Sequence, residues 1–195
     1  MNKNRIEAFS DGVIAIILTI MVLELKIPHT SDWTEVVALY PLFISYILSY
    51  FFITIYWVNH HHLLQTVSTL TSRILWKNAI LLFFLSLIPW ATAFMGENHF
   101  EKNTVILYTL LCFFSATAFS FLSKAVYEGG VSDGEIKKVL ASTKPKQIIS
   151  QIMYALAILF SFLYPQVSLL LIFLVSCVWF IPDKNLESIL SKGSL

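Results

Sequence analysis

Ser10 and Asp11 stand side by side inside an apolar stretch, and they are the first residues of the chain that could do chemistry. The stretch, residues 5–24, has the length and the apolar character of a membrane-spanning helix. An ionisable side chain inside a span is costly, so it marks a functional site unless it lies at a wet helix end. Asp11 is therefore interpreted as a proton or cation ligand, as a partner of another helix, or as an interfacial residue.

Asp11 is expected to find its partner on another helix. Arg5 is a poor partner within the same helix, because six residues place the two side chains about 120° apart around the axis. Polar residues near the ends of two later apolar runs are the alternatives. These candidates are Asn59, His60, His61, His62, Lys77 and Asn78.

The three consecutive histidines do not predict a metal site. Successive residues of a helix point about 100° apart and cannot converge on one ion, and no cysteine or carboxylate stands at ligand spacing. Hydrogen bonding of these histidines to Ser10 and Asp11 across helices is the favoured interpretation. No cofactor is predicted.

Motifs of enzymes and of known filters are missing from the sequence. There is no G-x-S-x-G, H-E-x-x-H or Walker sequence, and the potassium-channel filter TVGYG is also absent. The chain is therefore not expected to be an enzyme. Its net charge of +1, without a basic stripe, gives no reason to expect a nucleic-acid partner.

The composition is that of a polytopic membrane protein. Hydrophobic residues make up 57% and charged residues 13% of the chain, against about 45–50% and about 25% in ordinary globular domains. Residues 1–195 are expected to form a single domain, with the first apolar run retained as a helix rather than cleaved as a signal peptide. Cys112 and Cys177 lie in apolar runs and are expected to be buried free thiols, with a disulfide between them as the alternative.

An all-α fold with six transmembrane helices is predicted. The last two apolar runs are short for spans, so a shallow hairpin is the alternative there, and residues 135–140 of the polar segment 127–147 are expected to form a short surface helix. The predicted spans are 5–27, 32–62 (opened by an Asp32 N-cap, with Glu35 three residues on), 74–94, 104–122, 148–164 and 167–181.

Lysine and arginine predict that both termini are cytoplasmic. With six spans, the outer loops hold only Lys26 and Lys102. Cytoplasmic segments of membrane proteins are enriched in these residues. The eleven assigned to the inner side are Lys3, Arg5, Arg73, Lys77, Lys124, Lys137, Lys138, Lys144, Lys146, Lys184 and Lys192.

A stripe of mostly apolar residues follows Asp11 on the first helix. Its members recur at helical spacing and share one face, and Asp11 lies about 140° around the axis from Ile16. Packing against a neighbour is the ordinary explanation of such a stripe, and the acid and the stripe serve different faces in either case. The stripe consists of Gly12, Ile16, Thr19, Ile20 and Leu23.

The motif R-x-x-x-F-S-D-G-V-x-A-I-x-x-T at residues 5–19 closely resembles the transmembrane protein 175 family. Further resemblance lies in W-V-N-H-H at residues 57–61 and in residues 76–89. Members of this family are potassium-permeable channels of endosomes and lysosomes, with prokaryotic relatives. Animal members carry two six-helix repeats, whereas the single signature here is similar to the prokaryotic form.

The resemblance implies a homotetramer in which the first helix of each copy lines a central pore. It casts Ile16, Ile20 and Leu23 as the hydrophobic constriction and Thr19 as the hydroxyl that assists selectivity. It also implies a buried polar network that positions the first helix. The implied members of that network are Arg5, Ser10, Asp11, Trp57, His60 or His61, and Asn78.

The resulting hypothesis is a potassium-selective leak channel in the cell membrane, with K⁺ as the permeant ion and the lipid bilayer as its surroundings. A proton-coupled secondary transporter that uses Asp11 and the histidines as a relay is the alternative. A non-conducting membrane scaffold is the third possibility.

Overall fold

The computed structural model describes residues 3–180, and this part of the chain is helical with short connections. The elements are α1 Lys3–Leu23, α2 Trp33–Ala38, α3 Tyr40–Gln65, α4 Ser72–Ser86, α5 Ile88–Glu97, α6 Lys102–Gly129, α7 Gly134–Ser142, α8 Lys144–Ser161 and α9 Pro165–Phe180.

Four segments of the described chain are long and apolar enough to cross a membrane, and α9 is a shorter apolar helix. The chain is therefore an all-helical membrane protein in which four of the six predicted spans are clear from length and composition. The four are Lys3–Leu23, Tyr40–Gln65, Ser72–Glu97 and Lys102–Gly129.

Two predicted helices are each divided by a one-residue break that a proline explains. The second breaks at Leu39 and the third at Leu87, in both cases two residues before a proline, Pro41 or Pro89. Proline has no N–H to donate to the carbonyl four residues earlier, and its ring crowds that carbonyl. The helix therefore ends and restarts, while α4 and α5 still form one candidate span.

Other helix ends differ from the predicted bounds by a turn or more. Helix α1 ends at Leu23 rather than near residue 27, while α6 continues to Gly129, because residues of its last two turns, such as Val126, are buried. Helix α7 is the predicted surface helix, slightly longer than expected. The predicted end of the last span at Ile181, and Lys184 and Lys192, lie outside the described residues.

Two acidic side chains shape the connection from α1 to α2. Asp32 caps α2 by accepting the N–H of Thr34 at 3.0 Å. Glu35 does not close a reciprocal box onto Asp32; it accepts the N–H groups of His29 and Thr30 at 2.9 and 3.1 Å. Hydrogen bonding from the Thr34 backbone lowers the pKa of Asp32, and hydrogen bonding from the Thr30 backbone lowers the pKa of Glu35.

Helix α6 is the central element of the packing. It packs against α4 and α5 on one side and against α8 and α9 on the other. Helix α1 lies against α3, α4 and α5, so it is attached to the first group of helices. Helices α8 and α9 form a hairpin that contacts α3 and α6.

Several lysine and arginine residues meet at one end of the bundle. Lys3 donates to the Gln65 carbonyl at 2.7 Å, which joins the start of α1 to the end of α3. Arg73 pairs with Glu128 at 2.9 Å, which joins the start of α4 to the end of α6. The pair Lys26–Glu97, at 3.1 Å, lies at the other end.

Both cysteines are free thiols, as expected. Cys112 is buried in α6 as predicted, but Cys177 is exposed on α9, so the prediction that it is buried is wrong. Cys177 lines an open apolar groove of about 410 Å³ between α3 and α9.

Candidate functional site on helix α1

Helix α1 has one buried face and one exposed face within a single chain. The buried face contacts the neighbouring helices α3, α4 and α5. Its members recur at three- and four-residue spacing, which places them on one side of the helix. They are Ile6, Ser10, Ile14, Ile17 and Met21, each at most 3% exposed.

A buried hydrogen-bond chain joins this face to α4 and α3. The Asn78 amide nitrogen donates to the Ser10 hydroxyl oxygen at 2.9 Å. The Asn78 carbonyl oxygen lies 2.6 Å from His60 Nε2. All three residues are at most 2% exposed. One asparagine thus connects three helices at membrane depth, where a lost hydrogen bond is not replaced by water.

The two hydrogen bonds of the Asn78 amide determine which tautomer of His60 is present. Since the nitrogen of Asn78 donates to Ser10, its oxygen is the acceptor that faces the imidazole, so His60 Nε2 carries the proton. Nδ1 of His60 is then an acceptor, and it is buried without a hydrogen-bond partner in the described part of the chain.

Asp11 is held by a different partner from its neighbour Ser10. The Trp57 indole N–H donates to the Asp11 carboxylate at 2.9 Å. The Trp57 ring in turn stacks on His61, with 6.3 Å between the ring centroids, and His61 lies 2.9 Å from the Gln65 amide nitrogen. Asp11 thus joins α1 to α3 through a tryptophan. Asp11 itself is half-buried, beside the buried hydrogen bonds of Ser10, Asn78 and His60.

Arg5 and Lys77 are not brought into these contacts. Arg5 lies on the exposed face of α1 and forms no hydrogen bond or ion pair with another residue of the range 3–180. Lys77 points to α6, with its ammonium group 4.9 Å from the centre of the Phe121 ring. Asn59 donates back to the Ile55 carbonyl of its own helix at 2.8 Å. His62 neighbours His61, with 6.1 Å between ring centroids.

The exposed face of α1 carries the stripe singled out in the sequence. Ile16 is 58%, Ile20 41% and Leu23 80% exposed. Gly12 also lies on this side, with open space where a Cβ atom would stand. Ile16, Ile20 and Leu23 are therefore left largely uncovered by residues 3–180 of the same chain.

Thr19 lies on the same exposed face, and its hydroxyl has a defined orientation. It donates to the Ile16 carbonyl at 2.9 Å. The single proton of the hydroxyl is thereby used within the helix, and the oxygen keeps its lone pairs. Thr19 thus presents an acceptor oxygen, the kind of group that can coordinate a cation.

A second buried polar cluster was not predicted from the sequence. Ser49 of α3 donates to the Tyr108 hydroxyl of α6 at 2.9 Å, and Thr92 Oγ1 of α5 lies 2.7 Å from both Ser49 Oγ and the Ile88 carbonyl. Serine and threonine in spans often bond their own helix, so they leave no periodic pattern. The one available signal was the pair of hydroxyl residues Ser45 and Ser49 at four-residue spacing.

Residues 3–180 contain no candidate metal site, meaning a group of three or more His, Cys, Asp or Glu residues close enough to hold one ion. His60 and His61 are engaged with Asn78, Gln65 and the Trp57 ring. The predicted direct bonds from these two histidines to Ser10 and Asp11 are therefore wrong, because Asn78 and Trp57 stand between them.

Comparison with known proteins identifies the family. The family model described as "Endosomal/lysosomal potassium channel TMEM175" matches residues 5–89. A potassium channel of Chryseobacterium sp. (strain P1-3) is 45% identical over 193 residues, which cover 99% of this chain and 100% of the relative. The endosomal/lysosomal proton channel TMEM175 of Mus musculus is 32% identical over 62% of this chain, which corresponds to 27% of the mouse protein.

The fold is also shared with a solved structure. The crystal structure of a lysosomal potassium-selective channel TMEM175 homolog from Chamaesiphon minutus superimposes with a TM-score of 0.82 at 24% identity, covering 91% of this chain and 96% of that one. This likeness extends to nearly the whole chain, beyond the residues that carry the sequence motif. The full-length match to the Chryseobacterium protein, together with the family model over residues 5–89, shows that the chain belongs to the TMEM175 family.

Proposed function

We propose that this protein is a potassium channel of the leak type, and not an enzyme. The observation that carries the proposal is the exposed stripe of α1, in which Ile16, Ile20 and Leu23 flank the oxygen of Thr19. The Chryseobacterium relative, which matches along its whole length, is itself named a potassium channel. K⁺ would be the permeant ion, moving down its gradient.

The proposed pore is formed by four copies of the chain around the exposed faces of their α1 helices. Rings of Ile16 and Ile20 would then lie about 6 Å apart along the axis, with Leu23 about 4.5 Å beyond. Narrow apolar rings hold back ions by dewetting. Thr19, between the first two rings, would offer one oxygen from each copy to a partly dehydrated cation.

In this proposal the buried polar cluster positions the pore helix. Ser10 and Asp11 bind α1 to α3 and α4 through Asn78, His60 and Trp57. These contacts set the rotation of α1 about its axis, and hence which side chains face the pore. The roles expected from the sequence are thus divided between two faces of one helix.

We further propose that α8 and α9 complete six spans in the cell membrane, with both termini cytoplasmic and one channel domain over residues 1–195. The support is the inverted polarity of α8. Its polar Ser150 and Ser161 are buried, whereas Ile148, Ile152 and Leu159 are 55–64% exposed. A helix with apolar residues outside suits hydrocarbon surroundings. The meeting of Lys3, Arg73 and Lys124 at one end of the bundle supports the orientation.

Proton permeation is the second candidate, favoured by one observation. The mouse relative is named a proton channel, and this chain matches 27% of it. A proton-coupled carrier built on Asp11 and the histidines would have to break and remake the Asp11–Trp57 and His60–Asn78 bonds in each cycle. A pore needs no such rearrangement, so channel and carrier differ in turnover.

The test is a flux assay with purified protein in liposomes. Vesicles loaded with K⁺ are diluted into Na⁺, and a reporter dye follows the movement of charge, with valinomycin as the positive control. We expect K⁺ flux that grows linearly with the gradient and exceeds Na⁺ flux. Saturating flux that depends on a pH gradient would favour the carrier, and flux no higher than in empty liposomes would refute both.

A further inference from the structure

The outward face of α8 combines one lysine with a run of apolar side chains. Lys144, Ile148, Ile152 and Leu156 follow one another at four-residue spacing and so lie above one another on the helix. The three apolar side chains are 60%, 55% and 42% exposed. The lysine stands at the end of the bundle where Lys3 and Arg73 also lie.

The ammonium group of Lys144 is oriented but has no carboxylate partner among residues 3–180. It lies 4.4 Å from the centre of the Tyr127 ring on α6, and it forms no ion pair with any residue between 3 and 180. A cation held over an aromatic face loses little of its capacity to bind an anion. Lys124, one turn before Tyr127 on α6, adds a second positive charge, which is 64% exposed and lies 3.8 Å from Glu128.

We propose that this edge of the bundle binds an anionic phospholipid. It is formed by Lys124, Tyr127, Lys144 and the α8 stripe, which consists of Ile148, Ile152 and Leu156. The phosphate of the headgroup would lie on Lys144, and an acyl chain would follow Ile148, Ile152 and Leu156. The twelve helical steps from Lys144 to Leu156 span about 18 Å, close to the half-thickness of a bilayer hydrocarbon core, about 15 Å. The dimensions of the surface and of the lipid therefore agree.

Charge complementarity decides between a lipid and another occupant. A second protein chain on this face would have to supply an acceptor for the ammonium group of Lys144 beside the apolar surface. A phospholipid supplies the phosphate and the hydrocarbon in one molecule, at the spacing the helix requires. Free phosphate would meet the lysine but leave the stripe uncovered. This inference concerns the outer surface of α8, so it does not depend on the proposed function of α1.

The experiment is native mass spectrometry of the full chain from mixed micelles that contain phosphatidylglycerol and phosphatidylcholine in equal amounts. The test variant is Lys144→Gln. The matched control is Lys138→Gln on α7, an exposed lysine 3.9 Å from Glu135. We expect the wild-type protein to retain phosphatidylglycerol preferentially. In Lys144→Gln this preference should fall about fivefold, because one lysine near an anionic surface contributes about 1 kcal/mol. The preference should be unchanged in Lys138→Gln and should return in Lys144→Arg.

Two further measurements distinguish a lipid headgroup from free phosphate at Lys144, and a lipid from a second protein chain on the apolar face of α8. Inorganic phosphate at the same concentration should leave the thermal unfolding temperature unchanged, whereas phosphatidylglycerol should raise it in the wild type and less in Lys144→Gln. Equal losses in the two glutamine variants would overturn the proposal, as would equal retention of the two lipids. If Ile152→Ser changes the number of subunits in the particle rather than its bound lipid, the stripe is a protein interface and the proposal is wrong.

Discussion

The amide of Asn78 is the residue on which the position of α1 depends most directly. Its two ends differ chemically: the nitrogen can only donate, to Ser10, and the oxygen can only accept, from His60. A flipped amide would require the other tautomer of His60 and a Ser10 hydroxyl that donates instead of accepting. The direction of the amide, the tautomer of the histidine and the rotation of α1 are therefore determined together.

Replacing Asn78 with Leu should destabilise the protein. Leucine is similar in size to asparagine, so the packing of the site should be kept. Two buried groups, the Ser10 hydroxyl and His60 Nε2, would lose their partner, and we expect a loss of about 1–3 kcal/mol. The measurement is equilibrium unfolding in detergent micelles. Asn98→Leu is the control, because the Asn98 amide donates to a carbonyl of its own helix, that of Phe94. Equal losses in the two variants would argue against the bridging role.

At the scale of whole elements, the approach of α5 to α3 is unusually close. A Cβ atom on Gly96 would stand 2.5 Å from Ser45 Oγ and 2.9 Å from Leu42 Cα. The second contact is with backbone, so it cannot be relieved by a side-chain rotation. The glycine allows the half-helix α5, separated from α4 by the break at Leu87, to lie directly on α3.

Gly96→Ala should therefore push α5 away from α3 and cost about 1–3 kcal/mol, as overpacking of a tight contact does. Thermal unfolding followed by circular dichroism gives the comparison. Gly129→Ala serves as the reference, since a Cβ there meets only Thr71, at 3.8 Å, an ordinary contact. If the Gly96→Ala variant were as stable as the wild type, α3 and α5 would not depend on this close approach.

The connection from α1 to α2 should respond to acid. The pKa of Glu35 is lowered in the folded protein, so its contribution to stability is present at neutral pH and is lost as the pH falls below its ordinary value of 4.5. Hydrogen exchange of the His29 and Thr30 amides should accelerate, relative to intrinsic rates, as the pH falls below 4.5. Glu35→Gln should show weaker protection at pH 7 and no such acceleration.

At the scale of the whole molecule, the proposed pore requires a surface that one chain does not complete. The stripe of α1 is exposed, and the open groove between α1 and the α4–α5 break is lined by Ile16, Ile20 and Trp90. Trp90 is 58% exposed at this position. In an assembly, neighbouring copies would cover these residues, so pore formation and subunit contact are expected to be linked.

Ile16→Asn should raise K⁺ flux and reduce the preference for K⁺ over Na⁺. A polar ring stays hydrated, and lowering the barrier by about 1.4 kcal/mol gives a roughly tenfold increase in rate. Liposome flux per assembled channel is the measurement. Ile47→Asn is the control, because Ile47 on α3 is similarly exposed, at 50% against 58%. Unchanged flux in Ile16→Asn would show that the stripe lies outside the ion path.

Much of this arrangement could be predicted from the sequence, because apolar length and the motif at residues 5–19 carry strong signals. The separation of Asp11 from the Ile16 face followed from helical geometry alone. The breaks at Leu39 and Leu87 were not predicted, although Pro41 and Pro89 are visible, since a proline in a span can also be tolerated without a break.

Contacts between distant helices were harder to predict. Asn78 was already among the polar candidates in the sequence, and Trp57 came from the family resemblance. The Ser49–Tyr108–Thr92 cluster came only from the structure. A hydroxyl residue in a span satisfies itself on its own helix as readily as on another. Its role therefore depends on how closely the helices approach, which sequence spacing does not encode.

The two thiols give the protein a built-in reporter. Cys112 is inaccessible in the core and Cys177 is exposed beside the α3–α9 groove, so a thiol-reactive spin label would attach at one defined place in the unmodified chain. Distances between such labels on different copies depend on the number of subunits and their symmetry. Four equivalent copies would give two distances in the ratio of the side to the diagonal of a square. The number of copies around the pore can thus be measured in lipid without altering a single residue.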